Sequence, residues 1–260
     1  MSLPDPLFLA NDVEEVLRHG DHLTENSIGR CMWLMVEQRF RTWLQRSATS
    51  GSDLILVDGH LDDVTTGKIS PLSVFGASFA KVRKAPRLVV LHHFCGLHSH
   101  PKDPVSGPRG ILRSFIAQIL LHLSHYGGDF MLLPHADGPF LRDLSEHQPQ
   151  ALLVLFKELL SQIHPEATVY CLVDNVSDFE TASEDWEMEL CEIVDTLQIF
   201  VKAGEPGPAL KILLTDSRRS IAVFRHIRPG DQISLSSGNT YSRTMQMLSF
   251  QEDLQEAEGY

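Results

Sequence analysis

The sequence predicts an α/β protein with a mostly parallel sheet that helices cover on both faces. Four short apolar runs have the length of strands: residues 54–57, 88–91, 168–173 and 210–215. Continuous apolar runs indicate strands that are buried on both sides, and the helical spacing of the segments between them indicates parallel order. We therefore expect these four runs to be buried neighbours in one sheet. A weaker fifth strand is predicted at residues 233–235.

The segments between the runs have the signals of helices. The first predicted helix extends from Cys31 to Leu44, where apolar residues recur at helical spacing. Ser70 is placed to cap a second helix that begins at Pro71, because serine accepts a first-turn hydrogen bond and proline fits where no N–H is needed. That helix is predicted to end near Lys84. Three more helices are predicted at about residues 111–120, 150–163 and 186–200.

Composition limits the classes of partner. Asp and Glu outnumber Lys and Arg by 34 to 22, so the chain carries a formal charge of −12 and repels nucleic acid and anionic lipid. Four cysteines without a CxxC pair predict reduced core thiols. The first residues lack a signal-peptide pattern, and no apolar run has the length of a membrane span. We expect a cytoplasmic protein that binds neither nucleic acid nor membrane.

The length of 260 residues suits one large domain. We divide the chain into an N-terminal segment at residues 1–30, a single α/β domain at residues 31–235, and a polar, acidic tail at residues 236–260.

The loop after the first strand contains part of a phosphate-binding motif, G-x-x-x-x-G-K-[ST]. Gly67 and Lys68 stand in the required places, but Asp62 occupies the position of the first glycine. Ile69 stands where a hydroxyl would hold Mg²⁺, and Ser70 follows one residue later. Gly67, Lys68 and Ser70 are therefore candidate nucleotide ligands in a degraded loop. The alternative is an ordinary turn in which Lys68 is a solvated partner of the acidic residues.

Two later strand ends add candidates for the same site. Asp174 ends the third strand, where a carboxylate can hold a metal-bound water, and Asp178 is the remaining candidate for a catalytic carboxylate. Thr215 ends the fourth strand, and Arg218 and Arg219 follow it. The alternatives are that Asp174 caps the following turn and that the two arginines are solvated charges.

Several segments together carry a resemblance to a known family. They are Trp43-Leu44, residues 68–73, residues 93–98, residues 107–120, residues 172–176 and residues 213–215. In these segments the chain resembles the NTPase domain of fungal NACHT-like, STAND-type proteins, over roughly residues 31–220. The resemblance implies a P-loop NTPase fold, a site for ATP or GTP with Mg²⁺, and protein partners. The family pattern D-G-h-D-E is replaced after Asp174 by Asn175, Val176, Ser177 and Asp178, so we expect weak or no hydrolysis.

A histidine-rich stretch at residues 91–100 permits a different interpretation. Cys95, His98 and His100 have donor atoms that suit zinc, but no second Cys/His cluster completes a four-ligand set. We interpret the stretch as strand-end and loop packing and assign no metal to it.

The sequence therefore predicts a degenerate P-loop NTPase-like domain with a regulatory or protein-interaction role and no assigned cofactor. The first alternative is a working Mg-dependent ATPase or GTPase in which Lys68, Ser70 and Asp174 form the nucleotide site. The second is an unrelated α/β enzyme or metal-binding module, for which the histidine-rich stretch is the basis.

Overall fold

A computed structural model describes residues 4, 6–20, 33–44, 51–60, 69–81, 87–126, 137–203 and 207–235. Its five strands form one sheet in the order β2-β3-β4-β1-β5, and every neighbouring pair is parallel. The strands are β1 (Asp53–Asp58), β2 (Leu88–Phe94), β3 (Thr168–Asp174), β4 (Ala209–Asp216) and β5 (Gln232–Ser234). The parallel sheet predicted from the four apolar runs is confirmed.

Nine helices surround the sheet in the described part of the chain, besides a helical turn at residues 33–36 and a 3₁₀ turn at Pro229–Asp231. They are α1 (Pro6–Gly20), α2 (Gln38–Leu44), α3 (Pro71–Ala80), α4 (Gly107–Tyr126), α5 (Gly138–Ser145), α6 (Pro149–Leu160), α7 (Ser177–Glu180), α8 (Glu184–Ala203) and α9 (Ala222–His226). Within these described ranges, none of the helices has the length and apolar character needed to cross a bilayer.

Side chains from alternate strand positions face two separate apolar layers. On one face, Leu56 and Leu91 pack with α4, α6 and α8. On the other face, Ile55 and Val90 pack with α1, α2 and α3, where Trp43 lies in an aromatic cluster. Both layers are buried because successive strand residues point to opposite sides of the sheet. This two-sided burial explains why the strands are almost continuously apolar in sequence.

Several helix boundaries differ from the sequence prediction. The first predicted helix is interrupted at Glu37, whose carboxylate accepts a hydrogen bond from the Phe40 backbone N–H at 3.0 Å and so starts α2. Helix α4 begins at Gly107, before the predicted apolar stripe. The sequence prediction does not include α1, α5, α7 and α9.

The order of the strands places a switch point beside β1. Helix α3, which follows β1, packs in the layer on one face, whereas α9, which follows β4, packs in the layer on the other face. The chain therefore leaves the neighbouring strands β1 and β4 in opposite directions. In open α/β sheets, ligands bind at such a switch point, outside the carboxyl ends of the strands.

A close backbone approach at the start of α4 generates the first prediction. A Cβ atom at Gly110 would lie 1.7 Å from the Val105 carbonyl oxygen. Because backbone must move to relieve that overlap, we expect Gly110→Ala to lower the free energy of unfolding by about 2 kcal/mol or more. The measurement is urea denaturation followed by circular dichroism.

Gly138→Ala is the matched control, since no atom lies within 4 Å of a Cβ added there. Its free energy of unfolding should stay within about 0.5 kcal/mol of wild type. Equal effects of the two substitutions would contradict the close approach at Gly110.

Candidate functional site at the carboxyl edge of the sheet

Three aspartates end three strands at the same edge of the sheet. Asp58 is the last residue of β1, Asp174 of β3 and Asp216 of β4, and all three are buried. Asp58 and Asp216 are direct partners in the register of β1 and β4. The parallel order of the strands brings these residues together, as expected from the sequence for Asp174 and Thr215.

The start of α3 lies beside this edge and is capped by its own serines. Ser70 Oγ accepts a hydrogen bond from the Ser73 N–H at 3.1 Å, and Ser73 Oγ accepts one from the Ser70 N–H at 2.8 Å. Pro71, the first helical residue, has no N–H. The predicted cap is therefore confirmed. Two first-turn positions, those of Pro71 and Ser73, consequently have no N–H left to offer an anion.

Asp174 lies at the centre of the edge. Its Oδ1 accepts a hydrogen bond from the Thr215 hydroxyl at 2.6 Å, whereas no described residue donates a hydrogen bond to Oδ2 within 3.5 Å. Burial raises the pKa of Asp174 to about 7. The nearby Ser73 and Thr215 hydroxyls lower the pKa, and the charges of Asp178 and Asp216 raise it. The Asp174 carboxyl group therefore gains or loses its proton near neutral pH.

The loops after β3 and β4 are joined by side chains. Asn175 has a positive φ of 54°, a conformation that asparagine tolerates, and its Oδ1 accepts a hydrogen bond from the Ser217 N–H at 3.0 Å. The Asp216 carboxylate accepts from the N–H groups of Ser177 and Arg218, each at 2.8 Å. Burial raises the pKa of Asp216. Its carboxylate thus joins the two loops by hydrogen bonds.

Glu180 and Asp58 hold the next part of the β4 exit loop. The Glu180 carboxylate accepts hydrogen bonds from the Ser220 hydroxyl at 2.5 Å, the Ile221 N–H at 2.9 Å and the Val223 N–H at 2.8 Å. Asp58 accepts one from the Ser220 N–H at 3.0 Å, and burial raises its pKa to about 7. Three carboxylates therefore hold the loop at residues 217–221 by hydrogen bonds. They belong to Asp58 at the end of β1, Glu180 after β3 and Asp216 at the end of β4.

The exits of β1 and β4 remain in contact beyond the strands. The Gly59 N–H donates to the Asp216 carbonyl at 2.8 Å, and the His60 N–H donates to the Arg218 carbonyl at 2.7 Å. A Cβ at Gly59 would lie 2.8 Å from the Ser217 carbonyl oxygen. A glycine is needed here because the two backbones approach so closely.

Cations near the described part of the site lie at its surface. Arg218 and Arg219 are exposed, and the Arg219 guanidinium lies over the Phe224 ring at 4.8 Å from its centroid. The buried ionisable side chains in the described part of the site, those of Asp58, Asp174, Glu180 and Asp216, are acidic. A polyphosphate would be repelled there unless a cation accompanied it.

The structure brings together part of the predicted site. Asp174 and Thr215 are hydrogen bonded, and Asp178 is close enough to raise the pKa of Asp174. Ser70 caps α3, while Gly67 and Lys68 lie outside the described residues. Sequence reasoning missed the roles of Asp58, Asp216 and Glu180. The first two directly end apolar runs, which is a signal that the sequence does contain.

The histidine-rich stretch forms no metal centre in the described ranges, where no group of three or more His, Cys, Asp and Glu side chains is arranged to hold an ion. Both ring nitrogens of His98 instead contact carboxylates, those of Asp103 and Asp12. Cys95 is buried, and burial raises its thiol pKa well above the usual range. The stretch therefore contributes contacts between elements.

The fold is an α/β domain with a five-stranded parallel sheet, consistent with a P-loop NTPase-like domain. The family model described as Nephrocystin 3, N-terminal matches residues 29–218, which is most of the chain. The chain belongs to this family. Comparisons with curated proteins and with solved structures give no significant match.

The raised pKa of Asp174 generates the second prediction. Because the folded pKa, about 7, exceeds the ordinary value of 3.8, the folded state binds this proton more tightly than the unfolded state. Its contribution to stability is fully present below pH 3.8 and is lost as the pH rises to 7. Between pH 5 and pH 8, wild type should therefore lose roughly 2 kcal/mol more stability than Asp174→Asn.

Urea denaturation at several pH values between these limits measures the difference. Asp143→Asn is the control, since it neutralises a half-exposed carboxylate on α5 and should keep the wild-type pH dependence. Parallel pH profiles for wild type and Asp174→Asn would show that Asp174 has an ordinary pKa.

Proposed function

We propose that this chain is a degenerate P-loop NTPase-like domain, of the NACHT-like, STAND type, with a regulatory or protein-interaction role and weak or no nucleotide hydrolysis. The observation that carries the proposal is the self-capped start of α3. In a phosphate loop, the N–H groups at the beginning of the helix face the nucleotide. Here the reciprocal bonds between Ser70 and Ser73, together with Pro71, remove donors from that task.

The carboxylates at the sheet edge support the same proposal. Phosphoryl transfer requires groups that are positioned to neutralise charge and to orient the attacking water. Asp216 and Glu180 instead accept hydrogen bonds from the loops that surround them. These hydrogen bonds use the carboxylate oxygens to stabilise the surrounding loops. Few polar groups of the edge are therefore left to bind a substrate.

Protein partners and a cytoplasmic location complete the proposal. The net charge of −12 disfavours nucleic acid and anionic lipid as partners. Cys95, Cys171 and Cys191 are buried free thiols, which is typical of proteins from reducing compartments. A fungal origin stays an expectation from the sequence resemblance.

The alternative function is a Mg-dependent ATPase or GTPase with an atypical phosphate loop. The observation that favours it is Asp174 Oδ2, which is buried and receives no hydrogen bond within 3.5 Å from a described residue. The residues present fit a magnesium ion there, because a carboxylate oxygen is a ligand that Mg²⁺ prefers. Asp174 would then hold the ion, Lys68 and Ser70 would bind phosphate, and Asp178 would orient water.

The third prediction follows from the proposal. We expect single-turnover hydrolysis of Mg-ATP and of Mg-GTP to stay at the solvent background for the purified protein. Lys68→Ala should change neither that rate nor the melting temperature, because the loop lacks the glycine and the hydroxyl that would make Lys68 productive. A ligand at one hundred times its dissociation constant would stabilise the fold by about 2.7 kcal/mol, so thermal-shift titration measures binding separately.

Lys102→Ala is the matched control, since Lys102 is an exposed lysine that is not among the residues of the candidate site. A wild-type rate well above background that collapses in Lys68→Ala but persists in Lys102→Ala would establish the alternative function. Tight binding without hydrolysis would retain the regulatory proposal and identify the nucleotide as its ligand.

A further inference from the structure

His98 is held between two carboxylates from different parts of the fold. Its Nε2 lies 3.2 Å from Asp12 Oδ2, and its Nδ1 lies 3.1 Å from Asp103 Oδ1. A carboxylate can only accept hydrogen bonds, whereas a neutral imidazole has a single N–H to donate. Both contacts are hydrogen bonds only when His98 is an imidazolium. The residue is 1% exposed, so water does not replace either partner.

Asp12 belongs to α1, a helix that precedes the family match at residues 29–218. The apolar contacts of this helix are made by Val13 and Val16, which pack in the same layer as Val74 of α3. A Cβ at Gly20 would lie 2.9 Å from Val74 Cγ2, so the two helices approach closely. Helix α1 therefore covers α3.

Two further polar contacts attach α1. The Leu9 carbonyl oxygen lies 3.1 Å from His92 Nε2, on β2. Glu14 pairs with Lys81 at 3.1 Å, but both side chains are about half exposed, so this ion pair contributes little. The contact between His98 and Asp12 is the buried charged attachment of α1 among the described residues.

The groups that face His98 favour its charged form. Burial lowers its pKa, but the hydrogen bonds and charges of Asp12 and Asp103 outweigh burial and raise it above 6.5. The His93 ring lies 4.9 Å away on β2, and its pKa is held well below the usual range by burial and by the charges of His98 and His92. His93 is therefore neutral while His98 carries the charge.

We propose that α1 is a latch on the family domain, closed while His98 is protonated and opened when His98 loses its proton. Deprotonation leaves one ring nitrogen with a lone pair that faces a buried carboxylate. The hydrogen bond at that nitrogen is then replaced by repulsion between the lone pair and the carboxylate. Opening removes α1 from α3 and exposes the apolar face that both helices share. This device goes beyond the proposed function, because it would regulate access to α3 with or without a bound nucleotide.

The sign of the pH effect follows from the raised pKa. The stabilisation of the closed latch is complete below pH 6.5 and is lost as the pH rises through the folded pKa of His98. Above pH 6.5, opening releases up to one proton, so the closed population relative to the open one should fall as the pH rises, by at most about tenfold per pH unit.

Hydrogen exchange read by mass spectrometry on the full chain tests the latch, with intrinsic exchange rates corrected for pH. In wild type, the protection of α1 should fall as the pH rises above 6.5, by at most about tenfold per pH unit, while peptides from β3 and β4 keep higher protection. Asp12→Asn should lower α1 protection about tenfold or more at pH 6.5 and flatten its pH dependence. Glu14→Gln, the matched control on the same helix, should stay within about threefold of wild type.

A nitrogen-15 NMR titration of the histidines in the wild-type protein is the second measurement. It requires no variant, so its result does not depend on whether a variant folds. It should show His98 protonated at both nitrogens at pH 6.5. A neutral His98 at that pH would overturn the proposal. So would α1 protection that is independent of pH, that falls only together with β3 and β4, or that responds equally to Asp12→Asn and Glu14→Gln.

Discussion

Hydrogen bonds from the exit loop of β4 to buried carboxylates hold the carboxyl edge of this sheet together. Asp58, Asp216 and Glu180 come from different segments, yet each accepts backbone N–H groups from residues 218–223. A buried carboxylate that lost these donors would cost more than the bonds themselves contribute, because its desolvation would stay uncompensated. The strand order makes the arrangement possible, since β4 lies between β1 and β3 and its loop reaches both.

The same hydrogen bonds occupy N–H donors at the carboxyl edge of the sheet. Donors that satisfy carboxylates cannot also bind a phosphate, and the capped start of α3 withdraws two further positions. One oxygen of Asp174 receives no hydrogen bond within 3.5 Å from the described residues. The edge therefore combines a largely self-satisfied network with two carboxylates, those of Asp58 and Asp174, whose pKa burial raises to about 7.

Charge is distributed unequally between the two ends of the strands. At the amino ends, Arg39 binds Asp53 and Asp231, with nitrogen–oxygen distances of 2.7 Å to each. Lys211 is fully buried in β4, and its Nζ lies 3.5 Å from Asp53 Oδ2. These cations have their anions beside them, whereas the carboxylates at the other end are satisfied chiefly by neutral donors.

The sequence by itself determined the local features: the apolar runs that became buried strands, the Ser70 cap with Pro71 behind it, and the strand-end positions of Asp174 and Thr215. These follow from periodicity and from short-range hydrogen bonding, which neighbouring residues decide. Only the tertiary structure decided that β4 lies between β1 and β3, that Glu180 meets Ser220, and that α1 docks through Asp12 on His98. Those contacts join residues far apart in sequence, and each depends on strand order and packing that no local pattern encodes.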